Sequence, residues 1–465
     1  MASVGERASA RYDVVVIGAG PGGEAAAFMA RERGATVAIV DRGWVGGACP
    51  FIGCVPSKSL LHAAERHAAG ADYSWERASA RRDYMVNRAP DATEPDDSGH
   101  VRRLEAAGAV VLRGTGRLAS RGRVAVTHGD TEHEIGASTV IVAVGSETTV
   151  PDLPGLRELP FWTNREATLA RELPRSLLVL GGGPSGCELA QAYARFGVPA
   201  SIVQSRDRLV PHDHPRNSAV IRALLERDGV VVRTGVRALR ARAAAGRDGA
   251  HAIDLDDGTV AEGHAILLAV GRTYPLAGLG LEAYGFDPSV RGSIPTDGRL
   301  RIADGLFLIG DPAGPEMHTH QAHYQGEMAV RMALGDAVVP DYRALPRATY
   351  TDPEVASVGR SLEEALASGL DAFECVADFA TSSKGYSVEA TIGHATIVVD
   401  RATGELVGAA MATDDASAAI HEAVLAIQAR VPVPVLAGTI HAFPSTSRMF
   451  TGLFDEAARR LASGA

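Results

Sequence analysis

Twice along this chain an apolar run breaks into a Gly-x-Gly-x-x-Gly turn and continues as a small-residue helix, and this repeat limits the fold more than any other feature. The first copy is Tyr12-Asp13-Val14-Val15-Val16-Ile17, then Gly18-x-Gly20-x-x-Gly23, an Ala-rich helix over Glu24 to Arg33, and a strand Thr36-Val37-Ala38-Ile39-Val40 ending in Asp41. The second is Leu177-Leu178-Val179-Leu180, Gly181-x-Gly183-x-x-Gly186, a helix from Cys187 to Phe196, and the strand Ala200-Ser201-Ile202-Val203. Apolar strands without polar alternation belong to parallel sheets covered on both faces. The glycines let the backbone approach a pyrophosphate at a helix N-terminus, and Asp41 can accept from ribose hydroxyls. The glycine spacing alone is common in a chain with 51 glycines, so the flanking strand, helix, strand and acid carry the assignment. Two units predict an α/β protein with two Rossmann-like domains and two bound dinucleotides.

At 465 residues the chain should hold three or four domains, given roughly 100 to 200 residues each. A net charge of −10 argues against nucleic-acid or anionic-membrane partners, which need a basic face. No apolar run reaches the roughly 18 residues of a membrane span. Met1 to Arg11 lacks the apolar core of a secretion leader and runs into a strand, so a cytoplasmic protein is expected. There a disulfide is kept reduced unless it is catalytic. Half of the four cysteines, Cys49 and Cys54, fall in Gly46-Gly47-Ala48-Cys49-Pro50-Phe51-Ile52-Gly53-Cys54-Val55-Pro56-Ser57-Lys58, just after the first nucleotide unit. Such a pair can cycle between dithiol and disulfide. Lys58 is one of only two lysines in a chain that otherwise uses arginine, which suggests a site needing a compact, desolvatable ammonium.

This segment resembles the redox-active disulfide of the pyridine nucleotide-disulfide oxidoreductases, flavoenzymes that include dihydrolipoamide dehydrogenase and glutathione reductase. The resemblance extends from Tyr12 to about Phe454. It implies an FAD-binding domain over 1–150, an NAD(P)H domain over 151–270, a return to the FAD domain over 271–345, and a C-terminal α+β dimerisation domain over 346–465. FAD would be held by Gly18, Gly20, Gly23, Asp41, Gly145, Gly310, Asp311 and His320, and the nicotinamide cofactor by Gly181, Gly183, Gly186 and Gly271. Gln204 stands where NAD enzymes carry an acid, and Arg206 and Arg208 follow it. Arginines bind a 2′-phosphate that a carboxylate would repel, so NADPH is favoured over NADH. Gly186 is nevertheless the NAD-like choice within the family. Cys54 would be the flavin-proximal thiol and Cys49 the interchange thiol. Lys58 matches the lysine near the flavin, and Glu188 its ion-pair partner. A homodimer is implied, each C-terminal domain capping the partner's redox centre. Cys187 and Cys375 match no redox position and read as packing residues. His318, His320 and His323 sit on one helix start and are not expected to bind metal.

The departure lies in His441-Ala442-Phe443-Pro444-Ser445-Thr446-Ser447-Arg448, where Phe443 and Arg448 occupy the positions of the family's His and Glu. Neither can serve as a general acid–base at neutral pH. His441, two residues early, remains a candidate proton donor. Phe443, Arg448 and Cys49-Pro50 resemble the branch of 2-ketopropyl-coenzyme M oxidoreductase/carboxylase, where exclusion of protons protects a carbanion or enolate after carbon–sulfur cleavage. The expected function is NADPH oxidation through FAD and Cys49-Cys54 onto a sulfur compound, a thioether or an unusual disulfide. The alternatives are a diaphorase-like reductase of quinones or metal ions, and a redox sensor or scaffold without turnover.

Overall fold

The computed structural model describes residues 10–89, 94–246, 249–287 and 292–463, so most of the amino-terminal stretch read for a secretion leader and the last two residues of the chain lie outside them. The chain forms two compact units: one from residues 1–56, 80–149 and 271–341, the other from 57–79, 150–270 and 342–465.

The first unit is built on an eight-stranded sheet. Its central strand, Arg11–Ile17, pairs in parallel with Val37–Asp41 on one side and Thr131–Val142 on the other, with Ile17 opposite both Val40 and Val142. Val14, Val15 and Val16 are fully buried, as a strand covered on both faces requires. The helix Pro21–Glu32 begins three residues before the expected Glu24, because Pro21 opens it with a preset φ and no N–H to satisfy. It lies against the helix Thr319–Ala333, and glycines permit the approach: a Cβ on Gly326 would come 2.2 Å from the Gly22 carbonyl oxygen.

The second unit repeats the design in a four-stranded parallel sheet ordered Val231–Thr234, Ala200–Gln204, Leu177–Leu180, Ala265–Leu268. Again a proline, Pro184, opens the helix Pro184–Arg195 earlier than the expected Cys187. The two glycine turns are stereochemical copies. Gly18 and Gly181 have φ of +105° and +104°, and a Cβ on Gly23 or Gly186 would lie 1.9 or 2.2 Å from the carbonyl oxygen of Gly18 or Gly181 respectively.

The same unit contains a five-stranded antiparallel sheet ordered Pro346–Thr349, Glu354–Gly359, Leu406–Thr413, His394–Asp400, Ala372–Asp378. All seven residues of His394–Asp400 are buried. The last helix, Arg448–Ser463, packs Met449, Phe450, Leu453, Phe454 and Ala457 into that core, an apolar face at helical spacing. Among the described residues no helix is long and apolar enough to cross a membrane.

Candidate active site

All four cysteines are free thiols. Gly46 and Gly47 (φ +108° and +72°) turn the chain into a short helix, Ala48–Phe51, that carries Cys49. Cys54 is the first residue of the helix Cys54–Ala68. Its sulfur lies 3.4 Å from the hydroxyl of Thr319, itself the first residue of Thr319–Ala333. A thiol at the head of a helix sits in the positive end of the peptide dipoles, which favours the thiolate. Cys49 is driven the other way: its hydrogen bond with Cys54, burial, and the charge on Cys54 all push its thiol far above the ordinary range, while Thr319 opposes them. A negative charge on Cys54 therefore disfavours a second one on Cys49. Cys187 and Cys375 are buried at 0% and 1% exposure. Burial and then the neighbouring Glu188 raise the Cys187 thiol, and burial followed by Glu456 pushes Cys375 up to about 11. Neither is a nucleophile at neutral pH.

Within the second unit, Lys58 Nζ donates to Glu188 Oε2 at 2.8 Å, although 130 residues separate them. Glu188 is 5% exposed as a side chain, and its other oxygen accepts from the backbone N–H of Tyr350 at 3.0 Å. The ammonium also lies 4.5 Å from the centre of the Tyr350 ring. Carboxylate and ring face together hold the ammonium in place. Tyr350 and Thr319 are the site residues that sequence reasoning missed. Each acts through a contact between distant segments, which leaves no local pattern.

The described residues fit a dinucleotide in each unit. Gly20 and Gly183 cap their helices without any side-chain acceptor, so the first-turn N–H groups are available to a pyrophosphate. Asp41 sits at its strand end, accepting from the N–H of Ala19 and of Gly43, both at 2.6 Å. Gly145 and Gly310 have φ of +64° and +76°, and the Gly310 N–H is held by Gln325 at 2.7 Å. Asp311 accepts from the Ser146 hydroxyl, and the guanidinium of Arg272 donates to that hydroxyl and stands 3.6 Å from the carboxylate. His320 is exposed and His318 stacks on it, ring centres 4.9 Å apart, with His318 bonded to Glu316. Among the described residues no group of three or more His, Cys, Asp or Glu is arranged to hold a metal. Gly271, at φ +133°, accepts from the N–H of Thr149, where two short connecting strands, Glu147–Thr148 and Arg272–Thr273, pair.

The two arginines after Gln204 do not share a task. Arg206 is exposed on the loop, its N–H bonded to Gln204 Oε1. Arg208 donates to the Pro211 carbonyl at 3.0 Å and faces a separate cleft with Arg347 and Ser357.

In the C-terminal region Phe443 is 67% exposed, and the Arg448 guanidinium lies 5.4 Å from its ring centre. Arg448 heads the last helix, where the dipole disfavours a cation. His441 is tied down on both nitrogens: Nε2 to Glu422 at 2.7 Å and Nδ1 to the Thr451 hydroxyl at 2.9 Å. With its side chain only 5% exposed, it has no ring nitrogen left for a substrate.

Residues 12–326 match the family model described as pyridine nucleotide-disulphide oxidoreductase, and residues 345–453 match the dimerisation domain of the same family. The chain is 33% identical to the dihydrolipoyl dehydrogenase of Chlorobaculum tepidum, over 94% of this chain and 95% of that protein. It is 34% identical to that of Thermus scotoductus, over 96% of both. Two solved structures superpose along the chain. The Cu(II) complex of the HOCl-induced flavoprotein disulfide reductase RclA from Escherichia coli gives a TM-score of 0.85 at 25% identity, covering 96% of this chain and 99% of that one. LpdA from Mycobacterium tuberculosis gives 0.84 at 27%, with the same coverage.

Proposed function

The chain belongs to the pyridine nucleotide-disulphide oxidoreductase family of FAD-dependent enzymes, and we propose that within it this protein passes electrons from NADPH to Cys49 and Cys54 and on to a sulfur-containing acceptor that must receive them without a positioned proton donor. The single observation that supports this reading is the make-up of the C-terminal segment, which offers no free acid–base side chain at the positions that match the family's dyad. Phe443 and Arg448 stand at the dyad positions, and both nitrogens of His441 are already bonded. Bound FAD would accept hydride from the nicotinamide and deliver two electrons to the disulfide. The disulfide then opens to a thiolate on Cys54 and a thiol on Cys49, the distribution that the helix N-termini and the Cys49–Cys54 hydrogen bond favour.

Turnover needs Cys49 as the nucleophile, so its proton must pass to the Cys54 sulfur, to which Cys49 is already hydrogen-bonded. The Cys49 thiolate attacks the substrate sulfur, the carbon–sulfur bond breaks, and the electron pair leaves on carbon as an enolate or carbanion. The Cys54 sulfur then attacks the Cys49 sulfur, the mixed disulfide breaks, and the Cys54 proton passes to the departing substrate thiolate, which releases the substrate thiol and restores the Cys49–Cys54 disulfide. A cation such as Arg448 suits an enolate, and a phenyl group such as Phe443 suits exclusion of water. Exposure of Ile440 and Phe443, at 96% and 67%, supports a homodimer whose partner covers this segment and offers it to the redox centre. The exposed Arg206 is the residue favoured to meet a 2′-phosphate. A redox-cycling dithiol fits a compartment where other disulfides are kept reduced, which favours the cytoplasm.

A second reading has its own support: RclA, which superposes over 96% of this chain, is in a Cu(II) complex. Two thiols can reduce two Cu(II) ions to Cu(I), becoming a disulfide and losing protons, with no acid required. The two readings separate in one assay. NADPH oxidation is followed with a thioether and disulfide panel and, separately, with Cu(II) and a Cu(I)-selective chelator, in wild type, Cys49→Ser and Phe443→His. On the first reading sulfur substrates support turnover, Cys49→Ser abolishes it, and Phe443→His raises ordinary disulfide reduction about tenfold or more, as a restored general acid should. Turnover with Cu(II) alone selects the second.

A further inference from the structure

We propose that the second unit carries a site for a small phosphate-class oxyanion, in a cleft between the loop 208–214 and the residues 347–361 of the C-terminal sheet. The cleft encloses about 290 Å³, room for a phosphate with a small organic group and near the lower end for small-molecule pockets. Arg208, His212 and His214 face it from the loop, and Arg347, Ser357 and Arg360 from the sheet.

Two polar atoms of its lining residues are buried with no hydrogen-bond partner: Nε of Arg208 and the hydroxyl of Ser357, a residue only 5% exposed. Buried donors of this kind are normally satisfied, by protein, water or ligand. Two of the cleft's three carboxylates have one oxygen engaged by neighbouring protein groups. Asp213 accepts from the His214 N–H at 2.6 Å and from Asn217 at 3.0 Å, and Glu364 accepts from the N–H and hydroxyl of Ser361 at 2.8 and 3.0 Å. Glu363, the third, is exposed. Three guanidiniums, which donate to Pro211, Gly359 and Ser368 and keep further N–H groups, and a buried hydroxyl make a donor set for which an oxyanion is the matching acceptor. This inference does not depend on the redox reading, and it gives Arg208 a role apart from the nicotinamide cofactor.

The test is calorimetric titration of inorganic phosphate into FAD-loaded enzyme saturated with NADP+, so that both dinucleotide cradles are filled. One phosphate should bind per chain. Arg347→Gln should weaken it about tenfold and Ser357→Ala several-fold, the size of a lost charge-assisted or hydroxyl hydrogen bond. NADPH oxidation should be unchanged in both. Acetate in place of phosphate tests whether the tetrahedral anion is preferred, and equal binding of the two overturns the phosphate class. No saturable binding, which leaves the cleft to water, overturns the proposal. So does binding that is equal in wild type and Ser357→Ala, a change of one buried oxygen that serves even if Arg347→Gln fails to fold.

Discussion

Glu188 shows how one residue links fold and site. Its two oxygens satisfy the Lys58 ammonium and the Tyr350 N–H, and removing it orphans both. Glu188→Ala should lower unfolding free energy by about 2 kcal/mol. Lys58→Met leaves one oxygen of the buried Glu188 without its cation but keeps the other bonded to Tyr350, so it should cost about 1 kcal/mol, less than Glu188→Ala. Urea unfolding of the two variants checks the order, and a larger loss in Lys58→Met contradicts it. The pairing of Lys58 with Glu188 was legible only because both fall in family motifs, since nothing local relates residues 130 apart. Arg208 marks the opposite limit. Its place after Gln204 favours the nicotinamide phosphate, yet four side-chain torsions decide where a guanidinium goes, and in this structure it donates to the Pro211 carbonyl and lines the cleft beside the C-terminal sheet.

Among the elements, helix starts matter most. Cys54 and Thr319 each open a 15-residue helix, and their side chains meet at 3.4 Å. Thr319→Val keeps the shape and removes the hydroxyl, so the reactive thiolate should form at higher pH. The pH dependence of alkylation of the reduced enzyme should move up by about half a unit to one unit; an unchanged profile would show that the hydroxyl does not stabilise the charge. The C-terminal sheet has a titration of its own. His394 is buried, with Nδ1 bonded to Thr396 and Nε2 to Asn217 Oδ1, and burial, followed by His214 and Arg216, depresses its pKa from 6.5 to about 3. Below pH 6.5 the unfolded chain binds a proton that the folded chain refuses, so stability falls as pH falls. Between pH 6.5 and 5 the loss should be about 2 kcal/mol, seen as a drop in thermal midpoint that His394→Gln largely removes. The strand and helix cores were legible from apolar runs and glycine spacing. Their boundaries were less so, because Pro21 and Pro184 extend two helices toward the turn. His394 was not legible, since its fate depends on Asn217, 177 residues away.

For the whole molecule, the family models match residues 12–326 and 345–453, so most of the described chain follows the family and the proposed departure rests on a few side chains. The fold was readable because burial on two faces and a pyrophosphate-binding turn impose strong local patterns. The acceptor was not, because its identity depends on surfaces that carry no period or motif. What remains central is that electrons reach the acceptor through Cys49 and Cys54. Anaerobic titration of the FAD-loaded enzyme with NADPH tests this most directly. The first equivalent should produce the broad long-wavelength absorbance of a Cys54 thiolate beside oxidised flavin in wild type, and Cys54→Ser should lack it. If the first equivalent instead bleaches the flavin outright in the wild type, with no such band and no gain in titratable thiols, the disulfide lies outside the electron path and the account is wrong.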